Sequence, residues 1–302
     1  MKYLSLFSGI GGFELAIQDV FPDADCVGYS EIDKFSIQTY KRHYHGHNNF
    51  GSVLDIYPFE LPEIDMIVGG FPCQDLSIAK DNREGLCGKH SGLFWQLLFI
   101  HQVVQPKYFC YENVASMPKK DKDIISRELG VEPVMINAAL VSGQDRKRLF
   151  WCNWNVEQPA DRGIMLKDIL ESGEVDERMI TNGKSYALKA RYAGATEKHS
   201  TMIKTELYLI GKPRGFNKGY IKPVETSKSP TLSSNSWQDN NHLVNNSIVR
   251  KLTPIECERL QCFPDNWTAG VSNSQRYKQL GNAVNVEVVK HIMENLKQGE
   301  IK

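Results

Sequence analysis

The segment around Cys73 has the composition of a loop that presents a nucleophile. Residues 67–77 are IVGGFPCQDLS, so an apolar run ends in two glycines and Pro72 fixes the backbone immediately before the cysteine. A thiolate held at the carboxyl end of a buried strand could add to an electron-poor carbon. The alternative is a structural thiol, the usual state of a buried cysteine. We assign that state to five residues, namely Cys26, Cys110, Cys152, Cys257 and Cys262.

Two further groups of polar residues could act beside that thiol. Glu112 and Asn113 follow the apolar run Tyr108–Tyr111, and an acid at the tip of a buried strand could donate a proton or simply cap a helix. Arg146 and Arg148 lie two residues apart in QDRKR, and on an extended segment they would share one face. Such a pair could favour a thiolate, orient a carbonyl or bind a phosphate.

The amino-terminal segment has glycines placed for a ligand-binding turn. Gly9 and Gly11 stand in FSGIGGF, where a tight turn brings backbone amides close to a ligand. Glu14 occupies the third glycine position of a dinucleotide fingerprint, and a carboxylate there suits a cationic or neutral nucleoside better than a pyrophosphate. Glu31 could bind ribose hydroxyls, and Asp55 could accept from an adenine amino group. The alternative is a plain strand–helix turn followed by a solvated acid.

Alternating apolar runs and helical patterns would position these residues. Strands spaced by helices indicate βαβ units and a parallel sheet with helices on both faces, where ligands bind beyond the carboxyl ends of the strands. The predicted fold class is therefore α/β. The predicted strands are Tyr3–Phe7, Cys26–Ser30, Met66–Val68 and Tyr108–Tyr111, and the predicted helices are Phe13–Val20, Lys34–His43 and Leu93–Val104.

The later part of the chain has a different amino-acid composition, which indicates a second domain. Residues 173–247 are rich in Gly, Ser, Thr, Asn and Lys, which favours a small loop-rich β domain over a flexible insertion. Regular patterning returns with a capped helix start at Thr253 and a closing helix at Val284–Leu296. We predict a catalytic and cofactor-binding domain over residues 1–160, completed by residues 273–302, and a second domain over residues 161–272.

Composition excludes several classes of protein. The 302 residues contain 36 Lys+Arg and 36 Asp+Glu, and a 41% hydrophobic fraction is typical of a folded globular chain. No apolar run reaches the roughly 18 residues of a membrane span, and the early glycines argue against a signal peptide. Seven cysteines without a CxxC pair disfavour a disulfide framework and a zinc ribbon, and indicate a reducing, cytoplasmic location. His43, His45 and His47 alternate, but no cysteine or acid completes a metal site, so we expect no metal.

Taken in order, these motifs resemble the DNA (cytosine-5) methyltransferase family. The series is FSGIGG, Glu31, Asp55, GGFPCQDLS, ENV, QDRKR, a block at residues 250–267 and LGNAV. It covers nearly the whole chain, apart from residues 161–247. Several independent short motifs in the right order make the resemblance specific.

A few positions bear on the branch of the family. Phe71 and Leu76 differ from the common bacterial form, which has Pro and Phe there. The run Asp75–Ser77, together with residues 112–117 and 148–151, looks more like the animal de novo branch. These differences leave the reactive residues untouched.

The resemblance implies a Rossmann-like S-adenosylmethionine-dependent methyltransferase sheet with a small, loop-rich, mainly β target-recognition domain. It implies that five residues act at the reacting base: Cys73 as the nucleophile, Glu112 at the N3 edge of cytosine, Asn113 holding the Pro72–Cys73 loop, and Arg146 and Arg148 contacting base and active-site loop. It implies that S-adenosylmethionine is bound by Phe7, Gly9, Gly11, Glu31, Ile32, Asp55, Pro72, Asn282 and Val284.

These residue types suit methylation at cytosine C5, which is a poor nucleophile. Addition of the Cys73 thiolate at C6 would make C5 nucleophilic, and a hydrogen bond from Glu112 at N3 would stabilise the developing charge. Since this cannot occur within a stacked duplex, the target base would be flipped out.

A basic segment fits a DNA partner despite the zero net charge. Residues 184–228 contain ten Lys and Arg against three Glu, with five aromatic residues among them. This mixture suits phosphate contact and base-edge packing, although a solvated lysine-rich loop has the same composition. We expect a monomer that acts on double-stranded DNA, with no membrane association.

Three other functions stay open. tRNA cytosine-5 methylation uses the same motifs in one branch of the family. A catalytically silent DNA-binding relative would not require Cys73, Glu112 and both arginines together. A nicotinamide oxidoreductase is disfavoured because the third glycine of the dinucleotide fingerprint is missing.

Overall fold

A computed structural model describes residues 1–72, 86, 92–171, 208–210, 224–225, 229–230, 242–245 and 248–301. The chain forms two compact units. The first comprises Met1–Val141, Lys147–Arg162 and Ala283–Lys302, and the second comprises Ser142–Arg146 and Gly163–Asn282. Compared with the predicted boundaries, the second unit also takes in residues 142–146 and extends ten residues beyond position 272.

A six-stranded sheet forms the centre of the first unit. Its spatial order is β2–β1–β3–β4–β7–β5, and β1 to β4 run parallel. The strands are β1 (Lys2–Leu6), β2 (Asp25–Ser30), β3 (Met66–Gly70), β4 (Tyr108–Val114), β5 (Val134–Asn137) and β7 (Lys147–Cys152), while β6 (Gln144–Asp145) belongs to the second unit.

The prediction of an α/β fold is confirmed, and the parallel sheet holds for β1 to β4. β7 departs from it, because it pairs antiparallel with both β4 and β5. Only nine residues separate β5 from β7. Since a parallel crossover needs a dozen or more residues, the chain reverses instead.

Helices follow the parallel strands. α2 and α3 have the predicted bounds, and the Asp33 side chain caps α2 by accepting from the backbone N–H groups of Phe35 and Ser36. Gly130 ends α4 in the left-handed conformation. The helices are α1 (Gly12–Val20), α2 (Lys34–His43), α3 (Leu93–Val104) and α4 (Lys119–Leu129), and the later ones are α5 (Pro254–Leu260), α6 (Asn273–Asn282) and α7 (Val286–Ile301).

The two faces of the sheet bury different kinds of residue. Leu4 and Leu6 of β1 join one hydrophobic cluster with Phe94 of α3. Because strand side chains alternate, Tyr3 and Ser5 project to the opposite face, where they are also buried. One face is therefore apolar, whereas the face towards α1 contains polar groups.

The described part of the second unit combines short strands with two helices. β6 and β10 pair in parallel, and β12–β11–β8–β9 form an antiparallel sheet. α5 begins as predicted, with Thr253 as N-cap and Glu256 completing a capping box. The strands are β8 (Tyr208–Ile210), β9 (Val224–Glu225), β10 (Ser229–Pro230), β11 (His242–Asn245) and β12 (Ile248–Lys251). Among the described helices, none combines the length and apolarity needed to cross a membrane.

Candidate active site and cofactor turn

The turn after β1 has a left-handed backbone at three positions. Gly9 and Gly11 have φ of 57° and 87°, and Phe7 has φ of 56° although it carries a side chain. That conformation costs an L-residue about 1–2 kcal/mol. The turn is closed by two backbone hydrogen bonds of 3.0 Å, from Gly11 N–H to the Ser8 carbonyl and from Ser8 N–H to the Ser30 carbonyl. Strain at Phe7 is thus retained by the surrounding structure, as is typical of functional turns.

The two glycines of this turn face different surroundings. A Cβ atom on Gly9 would meet no described heavy atom within 4 Å, so this side of the turn is open. A Cβ atom on Gly11 would lie 2.6 Å from Cε2 of Tyr44, so the Tyr44 ring would have to shift to admit any other residue. Gly9 therefore offers space to a ligand, whereas Gly11 allows the turn to pack on Tyr44.

The Glu31 carboxylate is held by backbone groups directly after β2. Its Oε2 accepts from Gly9 N–H at 2.9 Å, and its Oε1 accepts from the N–H groups of Ile32 and Asp33, both at 2.7 Å. Burial raises the pKa of Glu31, and these three donors partly offset that effect. The contact joins the ends of β1 and β2, so the acid and the glycine turn form one site.

Asn49 and Ser30 connect this acid to the segment that carries Asp55. The Asn49 side chain exchanges hydrogen bonds with the backbone of Glu31 and accepts from Gly51 N–H at 2.9 Å. Ser30 Oγ donates to the Gly51 carbonyl at 2.8 Å. Sequence reasoning missed both residues, because a single Asn in a loop or a Ser at the end of a strand has no distinctive spacing.

The first unit presents surfaces that fit an adenosine-type ligand. Gly9 faces open space, the Glu31 carboxylate lies beside it, and the Ile32 side chain, next in sequence, is 72% exposed. Asp55 ends a short 3₁₀ helix and is exposed. An acid with hydroxyl-binding lone pairs beside an apolar surface suits a ribose and its base, so these residues fit S-adenosylmethionine.

Glu14 does not take part in that surface, contrary to the sequence-based interpretation. Its side chain is fully buried and accepts a 3.1 Å hydrogen bond from the Tyr40 hydroxyl. The helical period turns position 14 inwards towards α2, away from solvent. The carboxylate therefore cannot select a ligand by direct contact at the turn.

Glu112 and Arg148 form an ion pair at the carboxyl end of β4. Arg148 Nε lies 2.8 Å from Glu112 Oε1, and the two side chains are 15% and 12% exposed. Arg148 stands opposite Val114 in the antiparallel pair, which places it diagonal to Glu112 on the same face. Glu112 lies within β4 rather than after it, because β4 extends to Val114.

Glycine at position 70 makes room for this carboxylate. Gly70 is the last residue of β3 and pairs with Glu112 across the parallel ladder. A Cβ atom on Gly70 would lie 2.9 Å from Glu112 Oε2. The second glycine of the GGFPC motif therefore has a packing reason that the sequence did not reveal.

Asn113 ties β4 to the start of the loop that follows β3. Its buried side chain donates from Nδ2 to the Phe71 carbonyl at 3.0 Å, and its Oδ1 accepts from Val114 N–H at 2.8 Å. Phe71 immediately precedes Pro72. The role predicted for Asn113 at the Pro72–Cys73 loop is compatible with this contact.

The two arginines of QDRKR lie in different compact units. Arg146 lies between β6, which pairs with β10, and β7, which pairs with β4 and β5. It is buried and donates from Nη2 to the Gly281 carbonyl at 3.2 Å, within the second unit. Arg146 and Arg148 therefore have different partners, the Gly281 carbonyl for Arg146 and the Glu112 carboxylate for Arg148.

Several predicted site residues lie outside the described residues or at the ends of helices. Cys73 is outside them, as are Cys87 and most of the basic segment 184–228. Asn282 ends α6 in the second unit, and Val284 is buried just before α7 in the first unit.

The five described cysteines are free thiols. Burial raises the pKa of Cys26 to about 12 and holds the pKa values of Cys110 and Cys257 well above the usual range of a thiol. These three thiols are therefore protonated near neutral pH and are poor nucleophiles.

Comparison with known sequences matches this chain to DNA methyltransferases. The family model for C-5 cytosine-specific DNA methylase matches residues 1–298. The Type II methyltransferase M.NlaX of Neisseria lactamica is 30% identical, over 98% of this chain and 96% of that protein. The Type II methyltransferase M.HhaI of Haemophilus parahaemolyticus is 24% identical, over 98% of this chain and 94% of that protein.

Solved structures share the fold over almost the full length. A DNA modification methyltransferase encoded within an E. coli prophage matches with a TM-score of 0.68 at 18% identity, covering 99% of each chain. A DNMT2 mutant from Spodoptera frugiperda matches with a TM-score of 0.65 at 19% identity, covering 98% of this chain and 99% of that one. Both likenesses concern the α/β fold.

Proposed function

This chain belongs to the C-5 cytosine-specific DNA methylase family, and from that premise we propose how its residues perform the reaction. It is a DNA cytosine-5 methyltransferase and uses S-adenosylmethionine as its methyl donor. The proposal concerns the nucleophile, the groups that activate the cytosine ring and the residues that hold the donor.

The Glu112–Arg148 ion pair is the observation that carries the proposal. It lies at the carboxyl end of β4, and Asn113, the next residue, bonds to the carbonyl two positions before Cys73. β3 and β4 are parallel neighbours, so the loop after β3 starts at the same sheet edge as Glu112. An acid and a guanidinium at the edge where the Cys73 loop begins suit covalent activation of a flipped base by the Cys73 thiolate.

The Cys73 thiolate adds to C6 of the target cytosine in this mechanism, and a sulfur–carbon bond forms. Electrons of the C5–C6 double bond become available at C5, and Glu112 stabilises the change by a hydrogen bond or proton at N3. Arg148 fixes the Glu112 carboxyl group and contributes positive charge beside the ring. After methylation, loss of the C5 proton and elimination of the Cys73 thiolate restore the aromatic ring.

The chain's own residues place the donor relative to this edge. When bound, S-adenosylmethionine supplies an electrophilic methyl group on its sulfonium. Glu31 holds the ribose hydroxyls, Ile32 covers the adenine, and Asp55 accepts from its amino group. Gly9 and Gly11 allow the backbone to approach, and Phe7, Pro72, Asn282 and Val284 complete the set that the family resemblance implies.

The second unit is proposed to recognise the target DNA. Its predicted range, residues 161–272, contains the basic and aromatic segment 184–228, which suits phosphate and base contacts. Double-stranded DNA is the proposed form of the substrate. Three statements stay predictions: membership of the animal de novo branch, a monomeric state and a cytoplasmic location.

DNA containing 5-fluorocytosine tests the nucleophile. Fluorine at C5 cannot leave as a proton does, so the Cys73–C6 bond persists and the protein remains attached to the DNA. We expect a covalent adduct with the wild type and S-adenosylmethionine, and none with Cys73→Ala. Cys262→Ala, at a half-buried cysteine, is the matched control and should form the adduct. An adduct with Cys73→Ala, or none with the wild type on genomic-sequence DNA, contradicts the mechanism.

A methyl-transfer assay distinguishes DNA from tRNA as the substrate. Duplex DNA and tRNA are offered at equal concentration with labelled S-adenosylmethionine. We expect the label on DNA. A preference for tRNA would replace the proposed substrate, and absence of turnover on both would favour a catalytically silent DNA-binding protein.

A further inference from the structure

A chain of three buried or half-buried polar residues lies behind the cofactor turn and takes no part in the proposed chemistry. The Tyr40 hydroxyl donates to Glu14 Oε1 at 3.1 Å and lies 2.9 Å from Nδ1 of His47. Glu14 and Tyr40 are both fully buried, in the first turn of α1 and in α2. His47, one of the three alternating histidines of residues 43–47, is the third member of this Glu14–Tyr40–His47 chain.

Two proton arrangements are compatible with the two hydrogen bonds of this chain. If Glu14 is ionised, Tyr40 donates to it and His47 Nδ1–H donates to the Tyr40 oxygen. If Glu14 is protonated, it can donate to Tyr40, and Tyr40 then donates to the lone pair of His47 Nδ1. Because the Tyr40 hydroxyl has a single proton, it donates either to Glu14 or to His47. The protonation of Glu14 and the tautomer of the His47 ring are therefore coupled.

Glu14 changes its charge in the physiological range. Burial raises the pKa of Glu14 to about 7, although neighbouring polar groups, among them the Tyr40 hydroxyl that donates to Oε1, partly offset the effect. Burial also lowers the pKa of His47, so the imidazole is neutral when Glu14 titrates. The titratable and charged groups around Glu14 lie on five elements. They are Tyr3 on β1, Cys26 and Tyr29 on β2, Tyr40 and Tyr44 around α2, Asp19 on α1, Asp25 near His47, and Lys290 on α7, which pairs with Asp19.

Tyr44 connects this chain to the backbone of the cofactor turn. The His47 ring stacks on the Tyr44 ring, with centroids 5.1 Å apart and an interplanar angle of 11°. The Tyr44 hydroxyl donates to the Gly11 carbonyl at 3.5 Å, and its ring packs against Gly11 so closely that a Cβ would fit only if the ring shifted. Gly11 N–H in turn closes the turn on Ser8.

We propose that Glu14, Tyr40 and His47 are positioning residues that support the cofactor turn through Tyr44 and bring a pH-dependent charge behind it. The cofactor is a sulfonium cation, so the ionised carboxylate of Glu14 favours its binding. The affinity for S-adenosylmethionine therefore increases as pH rises through the titration of Glu14. The rate of methyl transfer at saturating cofactor does not depend on this chain.

Direct binding measurements test the proposal. The dissociation constant of S-adenosylmethionine is measured by calorimetry from pH 5.5 to 8.5 for the wild type and for Glu14→Gln, which keeps the shape but cannot ionise. The ratio of the two constants cancels the titration of the cofactor's own amino group. We expect the dissociation constant of Glu14→Gln divided by that of the wild type to be near 1 at the acidic end of the range. This ratio should rise about 3- to 10-fold at the basic end, because only the wild type then carries the charge. S-adenosylhomocysteine, which has no sulfonium, should show a smaller rise.

Tyr40→Phe tests the hydroxyl that joins the chain. We expect it to weaken S-adenosylmethionine binding about 2- to 10-fold at pH 8, with kcat at saturating cofactor within about twofold of the wild type. Tyr108→Phe is the matched control, because its hydroxyl bonds to exposed Glu300 at the opposite end of β4, and it should bind normally. If Tyr40→Phe does not fold, His47→Gln tests the same chain at a more exposed position.

The outcomes distinguish this inference from the function on which it rests. A pH-independent ratio for Glu14→Gln, or normal binding by the folded Tyr40→Phe or His47→Gln variant, overturns the inference and leaves the Cys73 adduct untouched. Failure of the wild type to bind S-adenosylmethionine overturns the cofactor site itself.

Discussion

The cofactor turn lies at the carboxyl ends of β1 and β2 and the reactive edge at those of β3 and β4, in the same sheet, yet the two regions are held in different ways. At the turn, Glu31 accepts three backbone N–H groups, so its position is set by the course of the chain. At the reactive edge, Glu112 is held by the side chain of Arg148. The first site depends on backbone conformation, and the second depends on a pair of side chains that one substitution can break.

The reactive edge should show the largest effect of a single change. Glu112→Gln keeps the shape of the side chain but loses the carboxyl group, which pairs with Arg148 when ionised and can donate to N3 when protonated. We expect kcat to fall by about 10²- to 10⁴-fold with unchanged S-adenosylmethionine affinity. Single-turnover methylation and calorimetry measure the two quantities. Asp123→Asn, in an exposed ion pair with Lys119, is the control. A comparable loss of cofactor affinity in Glu112→Gln would show that the two regions are not separate.

The cofactor turn should show an intermediate effect, confined to binding. Glu31→Gln places an amide N–H₂ against backbone donors, which removes charge-assisted hydrogen bonds worth about 1.5–3 kcal/mol each. We expect the dissociation constant of S-adenosylmethionine to rise about 10- to 100-fold, with kcat largely restored at saturating cofactor. Glu60→Gln, at an exposed acid, should bind normally. A kcat that stays low at saturation would contradict a pure binding role for Glu31.

Alanine substitutions at the two glycines of the turn should show the smallest effects, and these are effects on stability. Gly9→Ala meets only the conformational cost of a left-handed residue, about 1 kcal/mol, because its surroundings are open. Gly11→Ala adds a clash with Tyr44, so we expect a total loss of about 2–4 kcal/mol in stability. Urea denaturation measures both. Equal losses would mean that the Tyr44 ring moves aside at little cost.

Local patterns predicted the elements of the first unit well. α2 and α3 begin and end at the predicted residues, and the four predicted strands lie within a few residues of β1 to β4, whereas α4, β5 and β7 were not predicted. Amphipathic periodicity and apolar runs are short-range properties, so they can be recognised without knowing what packs against them. The reversal of β7 could not be predicted in this way, because β7 follows β5 and β6 in the chain but lies between β4 and β5 in the sheet.

Residues of one motif can also be separated by the fold. Arg146 and Arg148 are neighbours in sequence, but one bonds within the second unit and the other pairs with Glu112 in the first. Glu14 also shows what sequence motifs leave undetermined. Its position in a glycine-rich motif suggested a ligand contact, but burial of the side chain excludes that contact. Spacing in sequence does not say which way a side chain points when a strand ends or a helix turns.

The amino-acid sequence by itself determined the family, the cofactor and the residue types of the chemistry, because ordered short motifs are a property of the chain alone. Only the tertiary structure decided that Glu31 is bound by the turn it follows, that Glu112 needs both Gly70 and Arg148, and that Glu14 lies in a buried chain with Tyr40 and His47. These contacts join residues from different strands and helices, and their energies depend on burial and distance, which exist only once the sheet and its helices have packed.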